Sequence, residues 1–146
     1  MTAQKKMTCA DIVEYAMENR LNDLKELWEV YIGRKEPTDE ISEESYLEYG
    51  LSFDYVDAGT DSTDDNYFRY QISCGGPSEE FRFFCYKDHQ GNWMLSEIEF
   101  WYMDWFDGAS ATVTGDHYKF MAEVFHDFDD LGMLDSLVKE EVYYGA

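Results

Sequence analysis

The chain has 146 residues and a formal charge of −21, because 32 Asp and Glu outnumber 11 Lys and Arg. This charge argues against direct binding to nucleic acid, since phosphates are recognised by stripes of Lys and Arg. With 45% hydrophobic and 18% aromatic residues, the composition also argues against a disordered acidic segment. We therefore expect a single acidic domain over residues 1–146.

The cysteines and the apolar pattern bear on the compartment. Cys9, Cys74 and Cys85 are an odd number without CxxC spacing, which favours reduced thiols in a cytoplasmic protein. The N-terminal residues lack the basic and then apolar pattern of a secretion signal. No apolar run approaches the roughly 18 residues of a membrane span, so we expect no membrane partner.

The first third of the sequence predicts one long helix. Residues 1–7 form a basic tail that we expect to be flexible, and Thr8 is the expected N-cap. Apolar residues then recur every three or four positions, which is typical of an amphipathic helix. This helix would run over about 9–32, span roughly 36 Å and end at Gly33. A short helical turn is predicted within 43–49.

From residue 51 onwards the apolar period changes to two, which indicates strands. The predicted strands cover residues 51–56, 67–74, 80–87, 93–105 and 110–114. Gly108 is expected to break the pattern before the last of them. A second helix is predicted from Gly115 to Gly132, and a turn or short helix over the last dozen residues. The order predicts an α+β fold, with a mostly antiparallel sheet of about four to five strands in a meander between an N-terminal and a C-terminal helix.

The acids are distributed unevenly. The 33 residues between Lys35 and Arg69 contain eleven acids and no base. So charged a chain repels itself on compaction, and we expect the charge to serve binding to a strongly positive partner. A solvated loop, or salt adaptation of the whole protein, would also explain it. Glu97 and Glu99 can form cross-strand salt bridges with Arg69 and Arg82 without any function.

Mimicry of DNA is a sharper hypothesis for these acids. A duplex carries about one charge per 1.7 Å of axis, and acids at helical spacings of three and four lie about 5–6 Å apart. An acidic helix can therefore present a line of charges with a related pitch. The predicted partner-binding acids are Asp11, Glu14, Glu18, Glu26 and Glu29 on the first helix, then Glu36, Asp39, Glu40, Glu43, Glu44, Glu48, Asp57, Asp61, Asp64 and Asp65, and finally Asp127, Asp129 and Asp130.

Aromatic residues crowd the strand predicted at 93–105 and its exit. Trp101, Trp105 and Phe106 are the candidates for an interface, because together with their neighbours they are too many for one buried face. One interpretation is that the aromatic residues shield the second face of the sheet. The other is an exposed patch for a protein partner or for a homodimer.

No catalytic residue, metal site or cofactor is predicted, and we expect the protein not to be an enzyme. Asp104 and Asp107 form a distinctive carboxylate pair, but capping of backbone amides explains it better than a metal does. The acids at 57–65 lack the ligand pattern of an EF-hand, and the histidines lack metal spacing. Cys74 has no neighbouring base, and the sequence contains no phosphate loop or dinucleotide fingerprint.

In its small size, acidity and aromatic content, the whole chain resembles the DNA-mimic inhibitors of phages and plasmids, such as anti-restriction proteins of the Ocr and ArdA type and some anti-CRISPR proteins. The blocks FRYQISCGGPSEEFRFF (68–84) and IEFWYMDWFDGA (98–109) are similar to uncharacterised small proteins of mobile genetic elements, which carry no known activity. The first resemblance implies an inhibitor of a basic, DNA- or RNA-binding bacterial protein, either a restriction enzyme or a CRISPR effector. The alternatives are an acidic immunity or antitoxin-type protein that neutralises a basic toxin, and a protein-interaction adaptor.

Overall fold

A five-stranded antiparallel sheet forms the centre of the molecule. The computed structural model describes residues 7–57 and 65–144, with the last five of these as backbone only. The strands are β1 (Ser52–Val56), β2 (Tyr67–Ser73), β3 (Ser78–Lys87), β4 (Trp93–Asp104) and β5 (Asp107–Thr112). Each strand pairs with the next one along the chain, in the order β1-β2-β3-β4-β5. The predicted α+β fold with a meander sheet is confirmed.

Four helices accompany the sheet in the described part of the chain. They are α1 (Cys9–Tyr31), α2 (Ser45–Tyr49), α3 (Gly115–Asp130) and α4 (Met133–Tyr144). The hydroxyl of Thr8 accepts the backbone N–H of Asp11, and the carboxylate of Asp11 accepts that of Thr8, so α1 begins with a capping box. Gly33, at a φ of 82°, supplies the left-handed residue just beyond the helix. No helix in the described ranges combines the length and apolarity of a membrane span.

The core lies between the sheet and the helices. On β2 the side chains of Phe68, Tyr70 and Ile72 are buried, while those between them are half-buried on the opposite face. This alternation follows from the period of two along a strand. Phe81 and Phe83 continue the buried layer on β3. The apolar stripes of α1 and α3 pack onto this layer, and the second face of the sheet is left to polar and aromatic side chains.

Both long helices cross the sheet from its β5 side to its β1 side. The backbone N–H of Cys9, at the start of α1, donates a hydrogen bond of 2.8 Å to Asp107 on β5. The far end of α1 packs against α2, which leads into β1. Near the end of α3, the ring of Phe128 stacks on that of Phe53 on β1, with 3.9 Å between centroids. The C-terminal ends of α1 and α3 therefore lie on the same side of the sheet.

The predicted strand boundary at Gly108 is wrong. Gly108 lies inside β5 and does not break a strand, because the two-residue turn falls earlier, at Trp105 and Phe106. The small side chains that follow Gly108 give little apolar contrast, so the strand predicted at 110–114 overlaps β5 but starts too late, at residue 110 and not at Asp107. In the stretch expected to form a turn or short helix, residues 135–144 belong to the helix α4, which begins slightly earlier, at Met133.

The predicted cross-strand ion pairs have different partners from those expected. Arg69 pairs with Asp54 at 2.8 Å, because the register of β1 and β2 places these two residues directly opposite each other. Arg82 pairs at 2.8 Å with Glu80, which lies two positions earlier on the same face of β3. The two glutamates of β4 that had been expected as partners make neither bridge.

Candidate functional site

Carboxylates from distant parts of the sequence come together at the β1 side of the molecule. We call this surface the acidic edge, and its carboxylates belong to Glu36, Asp39, Glu40, Glu43, Glu44, Glu48, Asp127 and Asp130. Burial raises the pKa of Tyr31 and of Tyr46, and the negative charge of Asp127 adds to both shifts. The centroids of these two rings are 4.8 Å apart. The end of α1, the helix α2 and the end of α3 therefore lie close to one another.

The acids of α2 and of the connector between α1 and α2 (residues 32–44) are not neutralised within the molecule. All six carboxylates between residues 36 and 48 are exposed, and within the described residues none of them forms a salt bridge. The two bases that precede them are already used. Arg34 donates two hydrogen bonds of 3.2 Å to Glu123, and the ammonium of Lys35 lies 3.8 Å from Glu29. The acidic edge is therefore open to an external cation.

The last turn of α3 concentrates negative charge where a helix tolerates it least. It carries three aspartates and no base, and the carbonyl end of a helix is itself negative. Partial burial, reinforced by the charge of Asp130, raises the pKa of Asp127. Partial burial and the charges of Asp135 and Asp130 raise the pKa of Asp129. At neutral pH these carboxylates are therefore ionised at a cost in folding free energy.

A cleft of about 470 Å³ between α1 and α3 opens onto the acidic edge. It is lined by Trp28, Ile32, Arg34, Glu123, His126, Asp127 and Asp130. The indole N–H of Trp28 donates a hydrogen bond of 3.2 Å to Glu123, which fixes one wall. Apolar side chains beside carboxylates match the methylene stem and cationic head of Lys or Arg.

The predicted acids of α1 do not form one free row. Asp11 belongs to the capping box, and hydrogen bonds from Thr8 hold its pKa below the usual value. Glu18 lies 3.3 Å from the imidazole of His117 on α3, and Glu29 has the lysine partner described above. Glu14 and Glu26 are exposed on α1.

Some predicted residues fall near or outside the described ranges. Asp57 and Asp65 are exposed on either side of the gap between β1 and β2. Asp61 and Asp64 lie outside the described residues. Residues 1–6, the main part of the tail expected to be flexible, lie outside them as well.

Trp101 belongs to a packed cluster on the second face of the sheet. The guanidinium of Arg82 lies 4.1 Å from the Trp101 ring and 4.7 Å from the Tyr67 ring. The same guanidinium binds the carboxylate of Glu80, which is only 3% exposed. The indole N–H of Trp101 donates a hydrogen bond of 3.0 Å to Glu99. These contacts give Trp101 a structural role on the sheet.

Trp105 and Phe106 are placed very differently, at the tip of the β4–β5 turn. Their exposed fractions are 87% and 105%, so they project into solvent. Trp105 has a φ of 56°, the left-handed region that two-residue hairpin turns normally fill with Gly, Asn or Asp. Two large apolar side chains therefore occupy a turn whose local chemistry favours small polar residues.

Asp107 caps backbone amides, as the sequence analysis predicted for this carboxylate. Besides the amide of Cys9, its carboxylate accepts the N–H of Gly108 at 2.9 Å, and the bonds from Cys9 hold its pKa low. Across the side chains that the structure describes, no three His, Cys, Asp or Glu are grouped so as to hold a metal ion. Burial raises the pKa of the Cys85 thiol to about 12, which disfavours a thiolate there.

Of the cleft residues on α3, the sequence predicted Asp127 and Asp130 but missed Glu123 and His126. The available signal was helical spacing, because each lies four positions before one of the aspartates Asp127 and Asp130 and so shares its side of α3. In comparisons with family models, curated proteins and solved structures, the chain matches none of them.

Proposed function

We propose that the protein is a non-enzymatic DNA mimic whose acidic edge binds the positively charged nucleic-acid groove of a bacterial defence protein in the cytoplasm. A restriction enzyme or a CRISPR effector is the expected target. The observation that carries this proposal is that the connector, α2 and the end of α3 lie at the same side of the molecule, where seven of the eight carboxylates of the acidic edge are exposed and that of Asp127 is half-buried. The Lys and Arg that this surface lacks would come from the partner.

The connector that carries most of these acids is held by local hydrogen bonds. The hydroxyl of Thr38 accepts the N–H of Ile41 at 3.0 Å, and the Thr38 N–H donates to the Ile41 carbonyl at 2.9 Å. The hydroxyl of Ser45 accepts the N–H of Ser42 at 2.9 Å, just before α2. An ordered backbone loses less conformational entropy on binding than that of a flexible acidic tail. This ordering supports a mimic of a rigid polyanion.

The electrostatic cost at the end of α3 supports the same proposal. Substitution of Asp127 or Asp130 by a neutral residue would relieve the repulsion there, so folding alone does not explain these charges. Function commonly retains features that lower stability. Charge at such a surface also steers a basic partner and accelerates association, and the effect weakens as salt rises.

The proposal is tested by capture of partners from bacterial lysate at about 0.15 M and about 1 M salt. The informative variant combines Glu40→Gln, Glu43→Gln and Glu44→Gln. We expect the wild type to retain a nuclease or a DNA-binding effector that is released by duplex DNA and by high salt, and we expect the triple variant to retain much less of it.

A matched control removes the same charge elsewhere. The variant Glu14→Gln, Glu97→Gln and Asp116→Asn alters three exposed acids outside the acidic edge, and it should capture the partner as the wild type does. Equal losses in the two triple variants would show that only net charge matters and would contradict the proposal. Capture of a partner that resists both DNA and high salt would instead favour neutralisation of a basic toxin.

A further inference from the structure

A second candidate binding site lies at the opposite end of α1 from the acidic edge. It is a groove of about 380 Å³, lined by Met7, Thr8, Cys9, Ile12, Tyr102, Asp104, Trp105, Phe106 and Asp107. Its volume falls within the roughly 300–1,000 Å³ of typical ligand pockets. The start of α1 forms one wall, and the β4–β5 turn forms the other.

The apolar part of the groove is unusually exposed. The side chains of Met7, Trp105 and Phe106 are all exposed, and Ile12 and Tyr102 are half-buried between them. Exposed apolar clusters that are rimmed by polar residues mark interaction sites in soluble proteins. Tryptophan and tyrosine are also enriched among the residues that dominate binding energy at interfaces.

The two walls are joined to each other before any ligand arrives. The hydrogen bond between the Cys9 amide and Asp107 ties the first turn of α1 to the first residue of β5. The left-handed backbone at Trp105 holds the tip of the turn in a conformation that a large side chain seldom adopts. A preformed groove binds with a smaller loss of conformational entropy.

The charges around the groove indicate its occupant. Asp104 and Asp107 line it, and Asp11 lies near enough for its pKa to be affected by the charge of Asp107. No Lys, Arg or His is among the residues that line the groove in the described part of the chain. A second copy of the protein would bring the same carboxylates face to face in a symmetric contact, which like-charge repulsion opposes. A cationic ligand, in contrast, would form favourable ion pairs with the carboxylates at the rim of the groove.

We propose that this groove binds a short basic and apolar protein segment, in which one or two large apolar residues are flanked by Lys or Arg. The apolar side chains would pack between Trp105, Phe106 and Met7, and the flanking cations would pair with Asp104 and Asp107. The inference goes beyond the proposed function, because it concerns a different surface and a peptide-like ligand. It holds or fails independently of DNA mimicry.

The probe is the synthetic peptide acetyl-RRFLRR-amide, titrated into the full chain at about 0.3 M salt to screen non-specific attraction. Trp105 is the most exposed of the tryptophans, so its fluorescence reports on the groove. We expect saturable binding with a blue shift of the emission. Acetyl-RRSSRR-amide, which has the same charge, and acetyl-EEFLEE-amide, which has the same apolar residues, should bind at least tenfold more weakly.

Variants locate the site. Phe106→Ser and Met7→Ser should each weaken binding of RRFLRR at least fivefold, and circular dichroism should show that both remain folded. Tyr86→Ser removes an exposed aromatic ring elsewhere and should bind as the wild type does. The Glu40, Glu43 and Glu44 triple variant should also retain binding, which separates this site from the acidic edge.

Three results would overturn the inference. Equal affinity for RRFLRR and RRSSRR would mean that charge alone attracts the peptide. Unchanged affinity in the folded Phe106→Ser and Met7→Ser variants would place binding elsewhere. A wild-type dimer that dissociates in the Phe106→Ser variant, measured by sedimentation equilibrium, would identify a second copy of the chain as the occupant.

Discussion

Arg20 on α1 donates two hydrogen bonds, each 2.9 Å long, to the carboxylate of Glu79 on β3. Glu79 is only 6% exposed, so this bidentate pair joins the middle of α1 to the sheet at a nearly buried position. These hydrogen bonds, together with the one that Arg20 donates to the hydroxyl of Tyr49, raise the pKa of Arg20 further above its usual value. The groove and the acidic edge lie towards the two ends of the helix that this pair orients.

Removal of one partner from this pair should be strongly destabilising. Arg20→Ala is expected to lower the free energy of unfolding by about 3 kcal/mol, because it leaves the buried carboxylate of Glu79 without a cationic partner. Urea denaturation measures the change. Lys25→Ala, on the same helix but exposed, should change it by less than about 0.5 kcal/mol. A loss of similar size in both variants would contradict the role given to the pair.

Neutralisation of Asp127 should stabilise the protein. Asp127→Asn removes a partly buried carboxylate from the negative end of α3, and we expect the free energy of unfolding at pH 7 to rise by about 0.5 kcal/mol. The measurement is urea denaturation of both proteins at several pH values. His126→Asn, at the neighbouring exposed position, serves as a control and should give no such gain.

The gain from Asp127→Asn should depend on pH with a defined sign. Because the pKa of Asp127 is higher in the folded than in the unfolded chain, the folded wild type takes up its proton first as the pH falls. This group therefore adds stability as the pH drops through its folded pKa, and the advantage of the variant shrinks over that range. An advantage that grew on acidification would contradict the assigned shift.

Trp101 on β4 and Trp105 in the β4–β5 turn should change stability in opposite directions when they are substituted. Trp101→Ala removes a ring that contacts the guanidinium of Arg82, and it should lower the free energy of unfolding by about 2 kcal/mol. Thermal unfolding followed by circular dichroism is sufficient to measure this. If Trp101→Ala left stability unchanged, Trp101 would not have the structural role given to it here.

Trp105→Asn is expected to raise the free energy of unfolding by about 0.5 kcal/mol, because Asn adopts a positive φ in hairpin turns more readily than Trp does. The same variant should lose the RRFLRR affinity of the groove. Urea denaturation and peptide titration on one protein sample check both effects. A variant that was destabilised by more than about 1 kcal/mol would show that the turn depends on the indole ring.

The sequence predicted the fold well where apolar periodicity was strong. The alternation of Phe68, Tyr70 and Ile72 marked β2, and the stripe along α1 with Thr8 before it marked the first helix and its cap. The pattern was less accurate at β5, where the small residues after Gly108 show little apolar contrast and the strand was predicted to start at residue 110 and not at Asp107. The ion pairs also depended on features that the sequence does not show. Arg69 pairs with Asp54 because of the strand register, and Arg82 pairs with Glu80 because residues two apart share one face of a strand.

The candidate surfaces were only partly predictable. The sequence shows directly that the acids between Glu36 and Glu48 have no base among them. That the end of α3 with Asp127 lies beside α2 could not be predicted, because it depends on α1 and α3 crossing the sheet in the same direction. The exposure of Trp105 follows from the position of a two-residue turn, and that turn could not be located while Gly108 was taken as the breaking point. Tertiary packing decided both outcomes.

The most direct test of DNA mimicry is whether duplex DNA and this protein bind mutually exclusively to the captured partner. The affinity of the partner for this protein would be measured by titration at increasing concentrations of duplex DNA, at fixed salt. We expect competitive behaviour, in which the apparent Kd rises with the DNA concentration while the maximal signal is unchanged. Formation of a ternary complex, with a Kd that does not depend on DNA, would contradict it.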